Sequence, residues 1–565
     1  MIKFNIAYLL GLLLAYPVAA QQAWTTLSQV VQDVQIKDDV YEQSFTYATE
    51  NNCLLTITIY DTDDGEETTY KVNATDLNDR KIRFDTRSRE ILVEVETRGG
   101  RDLVQVFEDG EAKEFSDGFK FYATDIENAR EIVQAFKEVV QSCGQQSNEV
   151  LINGQANPSF EESLGFLTSE IREIATNEGA IEQSFTYNSA LPTVITYEWE
   201  DTNEGESYRY VANMVDFNEQ SVSFNTKRGD VWVSLETIGG RDLIQVFENG
   251  EPDNYDHELQ IRATDIEQAR VLEKALKSLI AGAEQRYDNS FLPGVVNPDM
   301  NQTVAYLTNM VGEVALEKET YEQAFSYNAA SQQLRYDVIE ASDGEQLSYL
   351  VNPADINPRT VDFDTKGSEV LIEMKTEAER DLVQEREDDV VDGFTDEIVI
   401  RASTIDDARR WVGALRQLVS LAQENQQDLF FLMAGGSPTP STALQFLQSN
   451  IGAVNDGDDR YQQTLTSGLD NQCLLTYTLI DDDKGEEKVF EWNMADINPR
   501  RIAFDTKSSN VMVTLTTTAE RDLVREIEDG EVEGYENEVE LLANTIEEAR
   551  ALVSAFKLLA ESCKK

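Results

Sequence analysis

The chain has 565 residues and is strongly acidic: 106 aspartates and glutamates stand against 47 lysines and arginines, giving a formal net charge of −59. A negative field of this size repels the phosphates of nucleic acids and anionic lipid headgroups, so neither is an expected partner. It suits cations, basic proteins or a salty medium, and 41% apolar residues favour folded domains over disorder.

The first twenty residues have the pattern of an export signal. Lys3 precedes an apolar run from Ile6 to Ala15, and Val18-Ala19-Ala20 supplies small residues for cleavage after Ala20. The run is shorter than the roughly 20 residues that a membrane-spanning helix needs, and no later segment approaches that length. We therefore expect residues 1–20 to be a signal peptide and the mature protein to be periplasmic or extracellular, without a membrane span.

The rest of the sequence repeats four times. The motif EQSFTY at 42–47 returns at 182–187, as EQAFSY at 322–327 and, more loosely, as QQTLTS at 462–467. The motif RDLV or RDLI begins at Arg101, Arg241, Arg380 and Arg521, with spacings of 140, 139 and 141 residues. A unit of this length can form its own core, so we predict four tandem domains. They are assigned to 21–143, 158–283, 300–423 and 441–565, called repeats 1 to 4 below.

Each repeat begins with a helical pattern. In repeat 2 apolar residues recur at spacings of 4, 3, 4 and 3, which predicts a helix with one apolar face: Phe160, Leu164, Leu167, Ile171 and Ile174. Short strands follow, separated by turns at Asp64-Gly65 and its counterparts. Apolar residues alternate with others through the middle of each repeat, as at Ile91, Val93 and Val95, and we predict about seven strands per repeat.

A second amphipathic helix closes each repeat. In repeat 1 its apolar face is marked by five residues: Ile126, Ala129, Val133, Phe136 and Val140. About seven antiparallel strands followed by a C-terminal amphipathic helix resembles the pleckstrin-homology-like (PH-like) fold, here with an extra N-terminal helix. This resemblance in element order implies an α+β, mainly β chain of four tandem PH-like β-sandwich or barrel units. The first hairpins, where such domains usually carry a basic phosphoinositide-binding cluster, are acidic here, as in DTDDGEE at 61–67. Lipid binding is therefore not expected to follow from the fold.

Three connecting segments, 144–157, 284–299 and 424–440, are rich in Gln, Asn, Gly and Pro. The last contains the apolar run Leu429 to Met433, which either docks a partner or, as we expect, tucks into a groove between neighbouring domains.

Four cysteines lie in the outer repeats only. Cys53 and Cys143 are 90 residues apart, and Cys473 and Cys563 have the same spacing at equivalent positions. Repeat 2 has Thr193 and Ala283 at these positions. Because both members of the pair are present or absent together, we predict the disulfides Cys53–Cys143 and Cys473–Cys563. A zinc site is the rival, but two cysteines per repeat and one histidine in the chain are too few ligands.

The sharpest recurring polar feature is the Arg-Asp pair of the RDL motif, followed by an arginine on the closing helix. The pairs are Arg101-Asp102, Arg241-Asp242, Arg380-Asp381 and Arg521-Asp522, and the helix arginines are Arg130, Arg270, Arg409 and Arg550. The Arg-Asp pairs and the helix arginines have two possible roles, to orient a shared ligand or to hold the fold. We expect the pairs to hold the fold through contacts within each repeat. Repeats 1 and 2 share Gly-Gly before RDL, whereas repeats 3 and 4 have Ala-Glu.

Other chemistry has weaker support. His257 is the one histidine and occurs in one repeat, so we expect it to be structural rather than catalytic. The acidic run DTDDGE at 61–66 resembles part of a calcium loop, but its triplet is out of register and a strand follows, so we expect hairpin chemistry and no calcium site.

The sequence favours a non-enzymatic structural or interaction protein, a multivalent array without a cofactor. Its expected partner is a protein or other surface, and the negative charge suits a basic one. The alternative is a ligand- or cation-binding protein with one site per unit; less favoured is an acidic hydrolase, since no pair of carboxylates stands out.

Overall fold

The computed structural model describes residues 16–48, 53–145, 150–175, 179–227, 229–316, 319–342, 344–426, 430–431, 438–456, 459–507 and 509–564. Over these ranges the chain is mainly β, with 45% strand and 29% helix, arranged in eight antiparallel sheets and eight helices. Most of the predicted signal peptide, residues 1–15, lies outside the described residues. No helix in the described part is long and apolar enough to cross a membrane.

The eight helices fall two to a repeat, as predicted. They are α1 (Tyr16–Val30) and α2 (Ile126–Gln145) in repeat 1, α3 (Phe160–Glu170) and α4 (Ile266–Glu284) in repeat 2, α5 (Met300–Met310) and α6 (Ile405–Glu424) in repeat 3, and α7 (Pro440–Asn450) and α8 (Ile546–Cys563) in repeat 4. Helix α3 starts with a capping box, in which the side chains of Ser159 and Glu162 bond each other's backbone N–H groups. It ends earlier than its apolar pattern predicts, because Ile174 pairs with Ile181 in a β-ladder.

The described residues of each repeat form nine strands. In repeat 1 they are β1 (Val34–Ile36), β2 (Asp39–Tyr47), β3 (Leu54–Asp61), β4 (Glu67–Asn73), β5 (Arg83–Arg87), β6 (Glu90–Glu96), β7 (Val104–Glu108), β8 (Glu111–Ser116) and β9 (Gly118–Tyr122). In repeat 2 they are β10 (Ile174–Ala175), β11 (Ala180–Tyr187), β12 (Val194–Asp201), β13 (Ser207–Asn213), β14 (Ser223–Lys227), β15 (Asp230–Glu236), β16 (Ile244–Glu248), β17 (Glu251–Asp256) and β18 (Glu258–Ala263).

Repeats 3 and 4 follow the same order. In repeat 3 the strands are β19 (Val314–Ala315), β20 (Thr320–Asn328), β21 (Gln333–Glu340), β22 (Gln346–Val351), β23 (Asp362–Lys366), β24 (Glu369–Lys375), β25 (Val383–Glu387), β26 (Val390–Thr395) and β27 (Glu397–Ala402). In repeat 4 they are β28 (Val454–Asp456), β29 (Asp459–Ser467), β30 (Leu474–Asp481), β31 (Glu486–Asn493), β32 (Ile497–Lys507), β33 (Asn510–Thr517), β34 (Val524–Glu528), β35 (Glu531–Glu536) and β36 (Glu538–Ala543).

The strands of a repeat divide between two sheets. In repeat 1 a six-stranded sheet has the order β1-β2-β3-β4-β7-β8 and a three-stranded sheet the order β5-β6-β9, and the other repeats have the same arrangement. The sequence predicted about seven strands because two of the nine are too short or too polar to show a recognisable apolar alternation. The first strand has only two or three residues, and the eighth, such as Glu111–Ser116, is mostly polar and exposed.

Each core lies where the sheets meet the closing helix. In repeat 2 the predicted inward residues Val231, Val233 and Leu235 are buried, and they belong to one cluster with Leu272 and Leu276 of α4. The inward residues of the strands and the apolar face of the closing helix therefore form one core.

The connecting segments contribute apolar residues to the repeats that follow them. Ile152 is buried in the core of repeat 2, Phe291 packs on Tyr306 of α5, and Phe430 lies fully buried in the core of repeat 4 against Phe446. Phe431 is 47% exposed. Of the predicted apolar run, residues 429, 432 and 433 lie outside the described residues. Within the described residues, this apolar run is held in the core of repeat 4 by Phe430.

The chain forms two compact units, Met1–Tyr287 and Asp288–Lys565. The first contains repeats 1 and 2, and the second contains repeats 3 and 4. Within each unit the two repeats are in contact, and some of the recurring polar residues lie at that contact.

Candidate functional site

The RDL motif has a common local structure in all four repeats. A buried threonine just upstream donates a hydrogen bond from its hydroxyl to the carbonyl oxygen of the motif arginine, at 2.5–2.6 Å. The threonines are Thr97, Thr237, Thr376 and Thr517. This bond closes the turn over two residues in the left-handed region, such as Gly99 and Gly100 with φ of 74° and 66°. The backbone of the motif is therefore held within each repeat.

The arginine side chains of repeats 1 and 3 contact the next repeat. Arg101 lies 4.9 Å from the ring centroid of Phe224 and donates a 3.3 Å hydrogen bond to the carbonyl oxygen of that residue. Arg380 lies 5.7 Å from the ring of Phe504 in the second unit. We expected a contact local to each repeat, but these guanidinium groups extend across the boundary between two repeats.

The other motif residues of repeats 1 and 3 also contact the next repeat. The carbonyl oxygen of Asp102 accepts a 2.7 Å hydrogen bond from Thr226, and that of Asp381 accepts one of 2.8 Å from Thr506. Leu103 is buried in the core of repeat 2, and Leu382 in the core of repeat 4. The motif of one repeat thus supplies apolar and polar contacts to its neighbour.

The helix arginines of repeats 2 and 4 contact the preceding repeat. Arg270, on α4 of repeat 2, forms an ion pair with Asp76 of repeat 1, and its guanidinium lies 5.3 Å from the ring of Phe224. Arg550, on α8, pairs with Asp355 at 2.5 Å and lies 5.5 Å from the ring of Phe504. In each unit, two arginines from different repeats therefore approach one phenylalanine.

A second carboxyl, partly buried at Glu267 and buried at Glu547, completes each arrangement. Glu267 accepts a 3.0 Å hydrogen bond from the Nδ2 of Asn73, and Glu547 bonds Asn352 in the same way. We call these residues the inter-repeat cluster. In the first unit it comprises Asn73, Asp76, Arg101, Phe224, Glu267 and Arg270, and in the second Asn352, Asp355, Arg380, Phe504, Glu547 and Arg550.

Burial controls the protonation of these acids. It raises the pKa of both Asp76 and Asp355, although the arginine paired with each acts in the opposite direction. Burial raises the pKa of Glu267 above its usual range and that of Glu547 to about 7, where the charge of Asp355 adds to the effect. Each cluster therefore holds two acids whose ionised forms are disfavoured by lost hydration and only partly compensated by arginine.

The motif pairs of repeats 2 and 4 have other surroundings. Asp242 lies 3.3 Å from the Nδ1 of His257, which Asp256 approaches to 3.4 Å. The ligand atoms of these three residues lie within 4.8 Å of one another, a spacing that would allow a metal ion. All three side chains are about half exposed. Asp522 and Arg521 are exposed, and the carbonyl oxygen of Arg521 accepts the bond from Thr517 described above.

A charged cleft of about 1090 Å³ lies in repeat 1. Its basic groups surround one nearly buried carboxylate: Glu94 is 9% exposed and forms ion pairs with Arg83, Arg87 and Lys120. These partners, above all the Lys120 ammonium, lower the pKa of Glu94. The basic residues of the cleft are thus engaged by carboxylates of the same repeat.

The acidic hairpin has the geometry of a tight turn. Asp61 Oδ1 accepts a hydrogen bond from the backbone N–H of Asp63 at 3.0 Å, and Gly65 has a φ of 72°. Asp201 and Asp481 cap the equivalent turns of repeats 2 and 4 in the same way. The recurring aspartate and glycine therefore have a structural role in the turn.

Both disulfides occur as predicted. Cys53 is bonded to Cys143 and Cys473 to Cys563, with Cα–Cα distances of 5.7 and 5.8 Å. Each bond joins the residue before the third strand of its repeat to the end of the closing helix.

Comparison with known proteins finds no matching family model and no similar curated protein. The sequence identified the arginines of the inter-repeat cluster but missed its acids and its phenylalanines. The recurrence of these residues in the sequence could have identified them. Asp76 and Asp355 are 279 residues apart, and Phe224 and Phe504 are 280 residues apart.

Proposed function

We propose that this chain is an exported, non-enzymatic interaction protein, a tandem array that presents several binding surfaces to a basic partner. The observation that carries this proposal is the inter-repeat cluster: the motif arginine of the first repeat and the helix arginine of the second join the two repeats of each unit. Residues that form such a contact give neighbouring repeats a fixed relation within a unit, which is what an array requires for multivalent binding.

We further propose that each repeat is PH-like. Support comes from the element order, in which the strands of a repeat are divided between two antiparallel sheets and followed by one amphipathic helix. The hairpin β7–β8 returns to the first sheet and β9 to the second, so the chain passes between the sheets more than once. The opening helix is an addition to the PH-like order.

The charge of the chain indicates the kind of partner. With a formal net charge of −59, it attracts basic surfaces over a distance set by the ionic strength. Two disulfides are consistent with an oxidising compartment, which agrees with the predicted signal peptide. N-terminal sequencing of the exported protein should give Gln21 as the first residue.

The proposal is tested by recovering the partner from the same compartment. Tagged chain, expressed with its own leader, is captured from periplasm and medium in 0.15 M NaCl, and bound proteins are eluted with 1 M NaCl and identified by mass spectrometry. We expect one or a few basic proteins at a fixed ratio. The double variant Arg270→Met/Arg550→Met should retain less of them than Arg130→Met, whose arginine pairs with Glu127 on the surface of its own helix.

Two results would overturn the proposal. One is recovery of no saturable partner from either compartment. The other is hydrolysis of a glycosidic or peptide substrate by the purified chain, lost when one carboxylate is replaced, which would favour the acidic hydrolase.

A further inference from the structure

Repeat 2 contains a cavity of about 270 Å³ with aromatic walls and an acidic rim. Tyr197 and Trp199 of β12 and Trp232 of β15 supply the rings, and Asp201, Glu204 and Glu206 supply the carboxylates. Because β12 belongs to the six-stranded sheet and β15 to the three-stranded sheet, the cavity lies between the two sheets of this repeat.

The rings are held in place by their neighbours. Trp199 stacks on Tyr208 with centroids 4.9 Å apart, and Tyr197 stacks on Tyr210 at 6.0 Å. The hydroxyl of Tyr197 donates a 2.6 Å hydrogen bond to Gln183. A binding wall that is fixed before the ligand arrives loses little conformational entropy on binding.

The other repeats show that the fold does not require these indoles. Trp199 lies opposite Gln183 in the neighbouring strand. In repeats 1, 3 and 4 the residue opposite the equivalent glutamine is Ile59, Val338 or Leu479. The residues at the position of Trp232 in the other three-stranded sheets are Leu92, Leu371 and Met512. The same strands therefore form with aliphatic residues, and the tryptophans are a specialisation of repeat 2.

One cation already lies against this wall. The guanidinium of Arg262 is 4.6 Å from the ring of Trp232, and it donates a 2.8 Å hydrogen bond to Asp230, whose carboxylate balances its charge. The three rim carboxylates are additional to that pair, so the lining carries a negative excess. Tryptophan is the best aromatic partner for a cation, and nearby carboxylates strengthen the attraction.

We propose that this aromatic cavity binds the ammonium group of an organic cation, either a small quaternary amine or a lysine side chain of a basic protein. The volume accommodates such a group, and the rim matches its charge, whereas a neutral ligand would gain nothing from three carboxylates. The inference rests on the proposed function and deepens it by naming the partner chemistry. It places one such site in repeat 2, rather than one in each repeat.

The test is calorimetric titration of the full mature chain in low salt. The probes are choline, N-acetyl-lysine amide and, as a neutral isostere of choline, 3,3-dimethylbutan-1-ol. We expect saturable binding of at least one cation and at least tenfold weaker binding of the isostere. Choline alone would identify a small amine as the ligand, and the lysine amide would identify a protein side chain.

The chain supplies its own variants. Trp232→Leu and Trp199→Val introduce residues that other repeats carry at these positions, so both should fold, as checked by circular dichroism. Each should weaken cation binding at least tenfold, while Tyr535→Leu, at an exposed aromatic of repeat 4, should leave it unchanged. Undiminished binding by the folded tryptophan variants, equal binding of the isostere, or no saturable binding of any probe would overturn the inference.

The two proposals fail separately. If a basic protein partner is recovered but no cation probe binds saturably to the purified chain, the cavity inference is wrong and the interaction function stands. If the cations bind as expected but no protein partner is recovered, the cavity inference stands and the interaction function fails.

Discussion

The turn before RDL places two consecutive residues in the left-handed region of backbone space. Repeats 1 and 2 use glycines there, while repeat 3 has Ala378 and Glu379 with φ of 59° and 51°, and repeat 4 has Ala519 and Glu520 with φ of 61° and 52°. A side chain in this conformation costs roughly 1 kcal/mol relative to glycine. Repeats 3 and 4 therefore store strain that repeats 1 and 2 avoid.

Replacing these alanines with glycine should stabilise the protein. Ala378 and Ala519 are exposed, so their methyl groups contribute little packing. We expect Ala378→Gly and Ala519→Gly each to raise the free energy of unfolding by about 0.5 kcal/mol, the relief of strain exceeding the added entropy of the unfolded chain. Urea denaturation measures this, with Gly99→Ala as the reverse control that should lower stability. A loss of stability in both glycine variants would show that the turn is not strained.

Protonation of Glu547 should make stability depend on pH. This residue is 5% exposed, and its pKa rises from 4.5 to about 7 on folding, chiefly through burial. A carboxyl with a raised folded-state pKa adds stability that is fully present below about pH 4.5 and is lost as pH rises through about 7. The loss approaches about 3 kcal/mol at most.

The variant Glu547→Gln keeps the neutral form at every pH. We expect it to match the natural chain near pH 4.5 and to be more stable than it at pH 8, by urea denaturation at both pH values. Glu540→Gln, at an exposed position on the neighbouring strand β36, is the control and should show no such difference. Equal stability of Glu547→Gln and the natural chain at pH 8 would mean that Glu547 stays ionised in the folded protein without a penalty.

At the scale of elements, the inter-repeat cluster connects the closing helix of one repeat to the preceding repeat. The side chain of Asp76 is 10% exposed and that of Arg270 is 23% exposed, so water screens their ion pair only in part. Removing one partner leaves a charge in a poorly hydrated place, which costs more than the pair contributes when intact.

A double-mutant cycle should reveal this coupling. We expect Arg270→Ala and Asp76→Ala each to destabilise the first unit by about 2–3 kcal/mol and the double variant to cost less than their sum. The cycle is measured by chemical denaturation of the full chain at pH 7. Arg130→Ala, which breaks the exposed pair with Glu127, should cost under about 1 kcal/mol. Strictly additive effects would show that Arg270 and Asp76 do not interact.

The sequence predicted the elements better than the contacts between them. Periodicity located both helices of each repeat and the inward residues of the central strands. It could do so because buried residues recur along the sequence with the period of the helix or strand that carries them. It missed strands such as β8, whose polar residues pair through backbone hydrogen bonds that carry no side-chain pattern. It identified Arg270 by recurrence but not its partner Asp76, which lies 194 residues away and is brought near only by the packing of two repeats.

The cavity of repeat 2 shows the same limit for the candidate binding site. Trp199 and Trp232 interrupt positions that are aliphatic in the other repeats, so comparison of the repeats could have singled them out. Their convergence on one cavity depends on how two sheets pack, which alternation within each strand does not specify.

The whole molecule carries a large excess of negative charge, which opposes its compact state. Carboxylates outnumber basic groups by 59, so most of them have no cationic partner and repel one another when the chain folds. Salt screens this repulsion, since the Debye length falls from about 30 Å at 0.01 M to about 3 Å at 1 M. Buried pairs such as Arg270–Asp76 are screened much less.

Salt should therefore stabilise the protein. We expect the melting temperature to rise by several degrees between 0.01 and 0.5 M NaCl and then to level off, because screening saturates once the Debye length is shorter than the spacing of surface charges. Differential scanning calorimetry over this range of NaCl measures the effect. Sucrose is the non-ionic control, and with it the melting temperature should not rise steeply at low concentration and then level off. A melting temperature that falls with NaCl would mean that exposed ion pairs, such as those around Glu94, stabilise the fold more than the net charge destabilises it.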